Sequence, residues 1–180
     1  MTDGAHVVHV EPDGRFVAWA PREVVHRDRL IHLSVNILIF HPDGRLLVQK
    51  RHRSKATFPS YWDVSCSGHV DYADFTPGLP YSEAAGFLTA APRELFEELG
   101  IRVPLTSLGV FPPQPNVNYE RTQVFSATCP GPFKLQADEV EAVQWVSKRA
   151  FACLSPTTPL LQWMARDIVP WTREQSESHP

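Results

Sequence analysis

The most informative stretch of this chain runs Ala91-Pro-Arg-Glu-Leu-Phe-Glu-Glu-Leu-Gly-Ile101. On a helix, Glu94, Glu97 and Glu98 stand at i, i+3 and i+4, so the three carboxylates share one face, while Leu95 and Leu99 turn towards a core. Like charges at these spacings repel each other by roughly 0.2–0.5 kcal/mol per pair. Gly100, a natural C-cap, places them near the negative end of the helix dipole. A bound divalent cation would remove both costs, so the spacing favours a metal site over a solvated acidic face.

Nine consecutive residues, Arg93 to Ile101, resemble the second half of the Nudix box, the signature of hydrolases that split diphosphates linked to another moiety. The resemblance implies a Nudix fold of the α/β (α+β) class, with a mixed β-sheet sandwiched between α-helices. It also implies that Glu94, Glu97 and Glu98 bind Mg²⁺ or Mn²⁺, with Glu98 or Glu94 polarising the attacking water. By the same resemblance, Arg93 orients a glutamate through an ion pair and completes the candidate catalytic set.

The first half of the motif lies further upstream than in the usual box. Gly68 is followed after five residues by Asp74, as at the start of the motif, but eighteen residues rather than seven then separate Asp74 from Arg93. We expect an insertion of about eleven residues within 75–88, lying beside the site and shaping substrate access. Gly68 has no side chain, so its backbone would let a phosphate or a metal approach closely.

Two helices are predicted around the insertion. Ser82 is a good N-cap for a short helix that ends near Leu88. Thr89 would cap the glutamate helix, which places Pro92 in its first turn, where the missing N–H has no intrahelical partner. The pattern therefore predicts that the glutamate helix begins just after Thr89.

Composition limits the class of protein and its partners. A chain of 180 residues with 43% hydrophobic and 21% charged residues is expected to form a single domain over 1–180. A net charge of -3 and a pI near 6.2 argue against binding to nucleic-acid polymers or to a membrane. Three cysteines without metal-type pairing, and no signal peptide or long apolar run, predict a cytoplasmic protein. The expected partner is a small-molecule diphosphate, and the expected state is a monomer or homodimer.

Hydrophobic patterning outlines the remaining elements. Residues 1–28 are expected to form an N-terminal β-hairpin and a lead-in, with strands at 6–10 and 15–19 around Glu11-Pro-Asp-Gly14. Residues 171–180 are polar and are expected to form a flexible tail. Further strands are predicted at 33–40, 45–50, 62–70, 102–111, 121–129 and 138–146, and short helices near 148–154 and 159–168.

A basic segment from Gln49 to Lys55 lies at the exit of a predicted strand. In a functional interpretation Arg51 binds a diphosphate through bidentate hydrogen bonds, and Lys55 binds it as a point charge. In a structural interpretation the same charges only protect the edge of a strand. Both interpretations stay open from the sequence alone.

A longer resemblance covers the run from Leu46 to Trp62 together with Gly68-His69. This pattern is similar to the Nudix branch that includes type I isopentenyl diphosphate isomerase. The resemblance puts His26, His32, His69 and Glu120 near positions where that isomerase binds metal or protonates substrate. A second metal site at the three histidines, with Glu120 facing the substrate, therefore stays an alternative.

Two departures separate the chain from the isomerase. The catalytic cysteine expected directly before Gly68 is Ser67, and Cys66 would point to the opposite face of the strand. A second carboxylate expected two residues before Glu120 is Asn118. The sequence therefore favours a hydrolase of a nucleoside-diphosphate-linked or related small molecule. Isopentenyl diphosphate isomerisation and non-catalytic nucleotide binding remain alternatives, and the candidate general bases are Glu120, Glu139 and Glu141.

Overall fold

The structure is a computed structural model that describes residues 6–171. Within this range the strands are β1 (His6–Val10), β2 (Phe16–Pro21), β3 (His32–Phe40), β4 (Leu46–Arg51), β5 (Trp62–Asp63), β6 (Cys66–His69), β7 (Thr106–Phe111), β8 (Glu120–Thr128) and β9 (Val140–Val146). The α-helices are α1 (Arg22–Arg27), α2 (Glu83–Leu99), α3 (Lys148–Phe151) and α4 (Pro159–Asp167).

Strand β3 is the centre of a mixed sheet. It pairs in parallel with β8 along its whole length and antiparallel with β6, and it meets β1 at one position. Strand β4 pairs antiparallel with β9 and β5. Helix α2 packs Leu95 and Leu99 on one side of this sheet, and α4 packs Leu161 and Met164 on the other. The predicted Nudix arrangement, a mixed sheet between helices, is confirmed.

The N-terminal hairpin is also confirmed, because β1 and β2 pair antiparallel. The lead-in after it contains α1, a helix that the sequence did not predict. The predicted tail at 171–180 lies outside the described residues apart from Trp171, whose indole N–H donates to the Ala165 carbonyl at 2.7 Å. No helix within residues 6–171 has the length and apolar character needed to cross a membrane.

Helix α2 is one continuous element, which corrects the predicted start of the glutamate helix. Ser82 caps it as predicted, accepting from the Ala85 N–H, and Gly100 ends it in the left-handed conformation at φ 68°. Thr89 is not an N-cap; its hydroxyl donates to the Ala85 carbonyl inside the helix. Pro92 therefore lies in the helix interior, where its ring removes one backbone hydrogen bond.

The insertion is an outward loop and a returning helix. Eight residues, 75–82, lead away from Asp74, and the first part of α2 leads back to Arg93. The ten helical steps from Glu83 to Arg93 rise only about 15 Å, whereas an eight-residue loop can span up to about 26 Å. The chain of the insertion therefore runs away from Asp74 and back to Arg93, and the two halves of the motif stay close in space.

Candidate active site

A cleft of about 1100 Å³ opens beside the carboxylates of α2. Its walls come from α1, β3, β6, the segment after β4 and the start of α4. None of the described residues in 75–88 lines it, so the expected influence of the insertion on substrate access stays a prediction without a direct contact. The insertion packs on the N-terminal hairpin instead, through the rings of Trp19, Phe75 and Tyr81.

The three predicted glutamates all line this cleft, but they differ in burial. The side chains of Glu94 and Glu97 are 14% and 48% exposed, whereas Glu98 is 6% exposed. The Oε2 atom of Glu98 accepts hydrogen bonds from the Gln49 side chain at 3.0 Å and from the Ser67 N–H at 3.3 Å. Glu98 is therefore held in one orientation from two directions.

Burial makes this carboxylate cluster electrostatically costly. Burial is the main cause that raises the pKa of Glu94 to about 7, and it also raises the pKa of Glu98 above its usual value. The neighbouring carboxylate of Glu98 raises the pKa of Glu94 further. A divalent cation would favour the charged forms of all three side chains. The oxygen-rich donor set suits a hard ion such as Mg²⁺ or Mn²⁺.

Gly68 on β6 makes room for one of these carboxylates. A Cβ atom built at Gly68 would lie 1.9 Å from Cδ of Glu94. The sequence predicted that this glycine admits a phosphate or a metal, but the group that fills the space is the Glu94 side chain. Gly68 therefore acts on any bound ion through the position of Glu94.

Replacing Gly68 with alanine is expected to lower kcat/KM for diphosphate hydrolysis by roughly 100-fold, because Glu94 must move by about an ångström or more. Steady-state kinetics with a diphosphate substrate would measure the loss. The control is Gly78→Ala, whose added Cβ meets nothing within 4 Å and which lies outside the cleft. Its φ of +82° means that alanine there costs stability, but kcat/KM should stay unchanged. Full activity of Gly68→Ala would contradict the role given to this glycine.

Arg93 joins the two halves of the split motif. Its guanidinium donates to both carboxylate oxygens of Asp74, at 2.8 and 2.7 Å, and to the His69 carbonyl at 3.0 Å. It also donates to Glu94 at 2.8 Å and to Glu97 at 3.1 Å. One arginine thus fixes the loop after β6 against the helix that carries the carboxylates.

The basic residues predicted to bind a diphosphate both line the cleft, but each already has a carboxylate partner. Arg51 pairs with Asp63 at 3.1 Å, and Lys55 pairs with Glu139. Burial is the main cause that lowers the pKa of Lys55. Both cations line the same cleft as the three glutamates, which are the groups that a metal-bound diphosphate would need.

Arg22 is a cleft residue that the sequence reasoning missed. It lies on α1, and within residues 6–171 it makes no ion pair with a carboxylate. Its charge still reaches the site, since it lowers the pKa of His69 and of Lys55. The sequence did contain a signal for this helix, because Pro21 directly precedes a short run that places Arg22 and His26 one helical turn apart.

The three histidines converge from α1, β3 and β6. One ring nitrogen from each of His26, His32 and His69 lies within 4.8 Å of the other two. His32 Nδ1 donates to the Leu30 carbonyl at 2.8 Å, which leaves Nε2 with a free lone pair. The Nε2 atoms of His32 and His69 are buried and have no hydrogen-bond partner in the described part of the chain. Glu120 adds a carboxylate 3.9 Å from His32 Nε2.

Burial is also the main cause that lowers the pKa of His26 and lowers that of His69 well below its usual value. Both rings are therefore neutral near pH 7, which is the form that binds metal. Orphaned nitrogens, short mutual distances and a nearby carboxylate fit a second cation.

The positions that differ from the isomerase pattern are also placed. The Cys66 thiol is fully buried and packs in the core with the leucines of α2, and burial raises its pKa well above the usual value. Ser67 lines the cleft in its stead. Asn118 donates to Glu120 at 3.4 Å.

Among the candidate general bases, Glu120 and Glu139 line the cleft, whereas Glu141 lies outside it and pairs with Lys50.

Comparison with known proteins agrees with this geometry. The family model described as NUDIX domain matches residues 30–171. An uncharacterized Nudix hydrolase of Pseudomonas aeruginosa is 34% identical over 146 residues, covering 81% of this chain and 80% of that protein. An isopentenyl-diphosphate Delta-isomerase of Leifsonia xyli is 31% identical over 163 residues, covering 85% of this chain and 82% of that protein.

A solved structure of similar shape comes from Deinococcus radiodurans. It superposes with a TM-score of 0.71 at 20% identity and covers 89% of this chain and 97% of that one. This likeness concerns the fold, while the sequence matches concern the family. The chain therefore belongs to the Nudix family, as a hydrolase acting on pyrophosphate bonds.

Proposed function

We propose that this protein is a metal-dependent Nudix hydrolase that cleaves a phosphoanhydride in a nucleoside-diphosphate-linked or related small molecule. Glu94, Glu97 and Glu98 would hold Mg²⁺ or Mn²⁺. The observation that supports this most directly is that these carboxylates line one cleft together with Arg51 and Lys55. Negative groups for a cation and positive groups for a diphosphate thus face the same space.

The bound cation would neutralise the diphosphate oxygens and acidify a water. The protein's own residues position the other components. Gln49 and the Ser67 N–H fix Glu98, and Arg93 fixes Glu94, so their remaining oxygens keep a constant orientation. Arg22, which has no acidic partner in the described chain, is the cation most free to bind a substrate phosphate.

The direct test is metal-dependent turnover on a panel of nucleotide sugars, dinucleotides, nucleoside di- and triphosphates and prenyl diphosphates. We expect phosphate or monophosphate release with Mg²⁺ or Mn²⁺, and none after chelation by EDTA. Equal turnover in EDTA would exclude the metal-dependent mechanism. Binding of a nucleotide without any product across the panel would favour the non-catalytic alternative, although all three glutamates of the box are present.

Isomerisation of isopentenyl diphosphate is the second candidate. The histidine cluster with Glu120 and the relative named as an isomerase favour it. Ser67 opposes it, because a serine hydroxyl replaces the expected thiol and the only adjacent thiol, Cys66, is buried on the other face. Incubation with isopentenyl diphosphate and a divalent metal distinguishes the two, since formation of the dimethylallyl isomer would overturn our ranking.

A second metal ion at His26, His32 and His69 is expected to bind independently of the carboxylate site. Imidazole nitrogens suit Zn²⁺ and other transition ions better than Mg²⁺. After equilibration with Zn²⁺ and gel filtration, His69→Gln should retain one metal equivalent fewer per chain than the wild type, by elemental analysis. Glu98→Gln serves as the control and should keep that equivalent. Equal zinc content in His69→Gln and wild type would rule out the histidine site.

A further inference from the structure

A polar floor lies between the carboxylates and the histidines. On β3, Ser34 and Asn36 point to the same side as His32, because side chains alternate along a strand. Their partners on β6 are His69 and Ser67. Ser34, Asn36, Ser67 and His69 all line the cleft.

Packing does not explain this polar floor. Leu38, two residues further along the same face of β3, joins the apolar core under α4. Ser34 and Asn36 are as deeply buried, at 3% and 1% exposure, yet they are polar. The change from leucine to polar residues occurs where the cover of α4 gives way to the cleft.

A chain of hydrogen bonds fixes the orientation of the Asn36 amide. The Thr122 hydroxyl donates to the Ser34 carbonyl at 3.3 Å, so its oxygen must accept from Asn36 Nδ2, which lies 2.6 Å away. The nitrogen therefore faces β8 and the Oδ1 atom turns away from β8. Oδ1 of Asn36 and Oγ of Ser34 are buried and have no hydrogen-bond partner among the described residues.

We propose that Ser34 and Asn36 form a specificity subsite that accepts hydrogen bonds from the moiety attached to the diphosphate. The ligand class is a group with O–H or N–H donors, such as a polyhydroxylated sugar-like group, and not an alkyl chain. An alkyl group placed there would leave two buried acceptors unpaired, and sites of this kind discriminate strongly against analogues that lack the donor. The proposal rests on the proposed function, because it takes the diphosphate to lie in this cleft.

The test uses two non-cleavable ligands of similar size, the 2,3-dihydroxypropyl and the isopentenyl monoesters of methylenebisphosphonate. Calorimetry with Mg²⁺ should show that the wild type binds the dihydroxypropyl ester at least about 10-fold more tightly, the scale of one or two net hydrogen bonds. Ser34→Ala removes only the unpaired hydroxyl and should lose most of this preference. Asn36→Leu should lose it fully where the variant folds.

Ser65→Ala is the matched control. Ser65 is also fully buried, but its hydroxyl is satisfied by the Leu47 carbonyl and the Ile39 N–H, and it lies outside the cleft. It should lose stability and keep the ligand preference. The subsite would be overturned if the wild type bound both esters equally, bound the isopentenyl ester more tightly, or bound neither. An unchanged preference in Ser34→Ala would overturn it as well. Because neither ester can be hydrolysed, an intact preference together with absent turnover would refute only the proposed function.

Discussion

Glu98→Gln is expected to reduce kcat by roughly 100- to 1000-fold, the scale seen when one preorganised electrostatic group is removed from an active site. The substitution keeps the shape of the side chain and its contacts with Gln49 and the Ser67 N–H, so the fold should be kept. It removes a charge from a site where burial raises the pKa of the carboxyl. The melting temperature of the metal-free protein should therefore stay the same or rise while activity is lost.

Glu83→Gln provides a control in the same helix. Glu83 lies in the first turn of α2, outside the cleft, and forms a two-point ion pair with Arg121 at 2.6 and 3.0 Å. Its replacement should lower stability and leave kcat unchanged, the reverse of the result for Glu98. A fully active Glu98→Gln protein, measured beside this control with saturating Mg²⁺, would refute the assignment of the catalytic carboxylates.

Hydrophobic periodicity predicted the sheet better than it predicted the helices. Strand β3 is an apolar run bounded by a turn, and its predicted span differs from the observed one by a single residue. Helix α1 has six residues with only Val25 buried, which is too short to show a helical period. The segment that carries Arg22 and His26 into the site was therefore interpreted as irregular.

The start of α2 shows tertiary packing overriding local rules. Proline in a helix interior costs about 3 kcal/mol, which favoured a start after Thr89. Phe87 is 1% exposed and packs in the main core from the turn before Pro92. Burying a phenylalanine side chain contributes about 1.5–3 kcal/mol, and Ala90 and Ala91 are buried as well. This burial depends on strands distant in sequence, which local capping signals do not describe.

In the candidate site too, features that depend on local sequence were predicted, and features that depend on tertiary structure were not. The spacing of Glu94, Glu97 and Glu98 on one helix is local, so the sequence was sufficient to predict that they share a cleft. The roles of Gly68, Ser34 and Asn36 depend on strand register, which joins residues far apart along the chain. A one-residue change of register would turn Ser34 and Asn36 into the core, so their function could not be inferred before the pairing was known.

Arg93→Leu is expected to destabilise the protein by about 3–5 kcal/mol, because it removes one partner of a buried ion pair. The Asp74 side chain is only 1% exposed, and both of its oxygens accept from Arg93. Urea unfolding would measure the loss. Added Mg²⁺ should restore part of the stability, since the cation compensates the Glu94 carboxylate that Arg93 also neutralised.

A double-mutant cycle separates the charge from the packing of Arg93. In Arg93→Leu/Asp74→Asn no unpaired carboxylate remains at position 74, and the introduced amide oxygen can still accept from the Asp71 N–H, which in the wild type donates to Asp74 at 2.9 Å. The double variant should therefore be more stable than Arg93→Leu alone, with a coupling energy of about 1–3 kcal/mol. Strict additivity would mean that the two halves of the motif are held together by packing alone. A large coupling would mean that, despite the insertion, this one ion pair keeps the loop after β6 aligned with the glutamate helix.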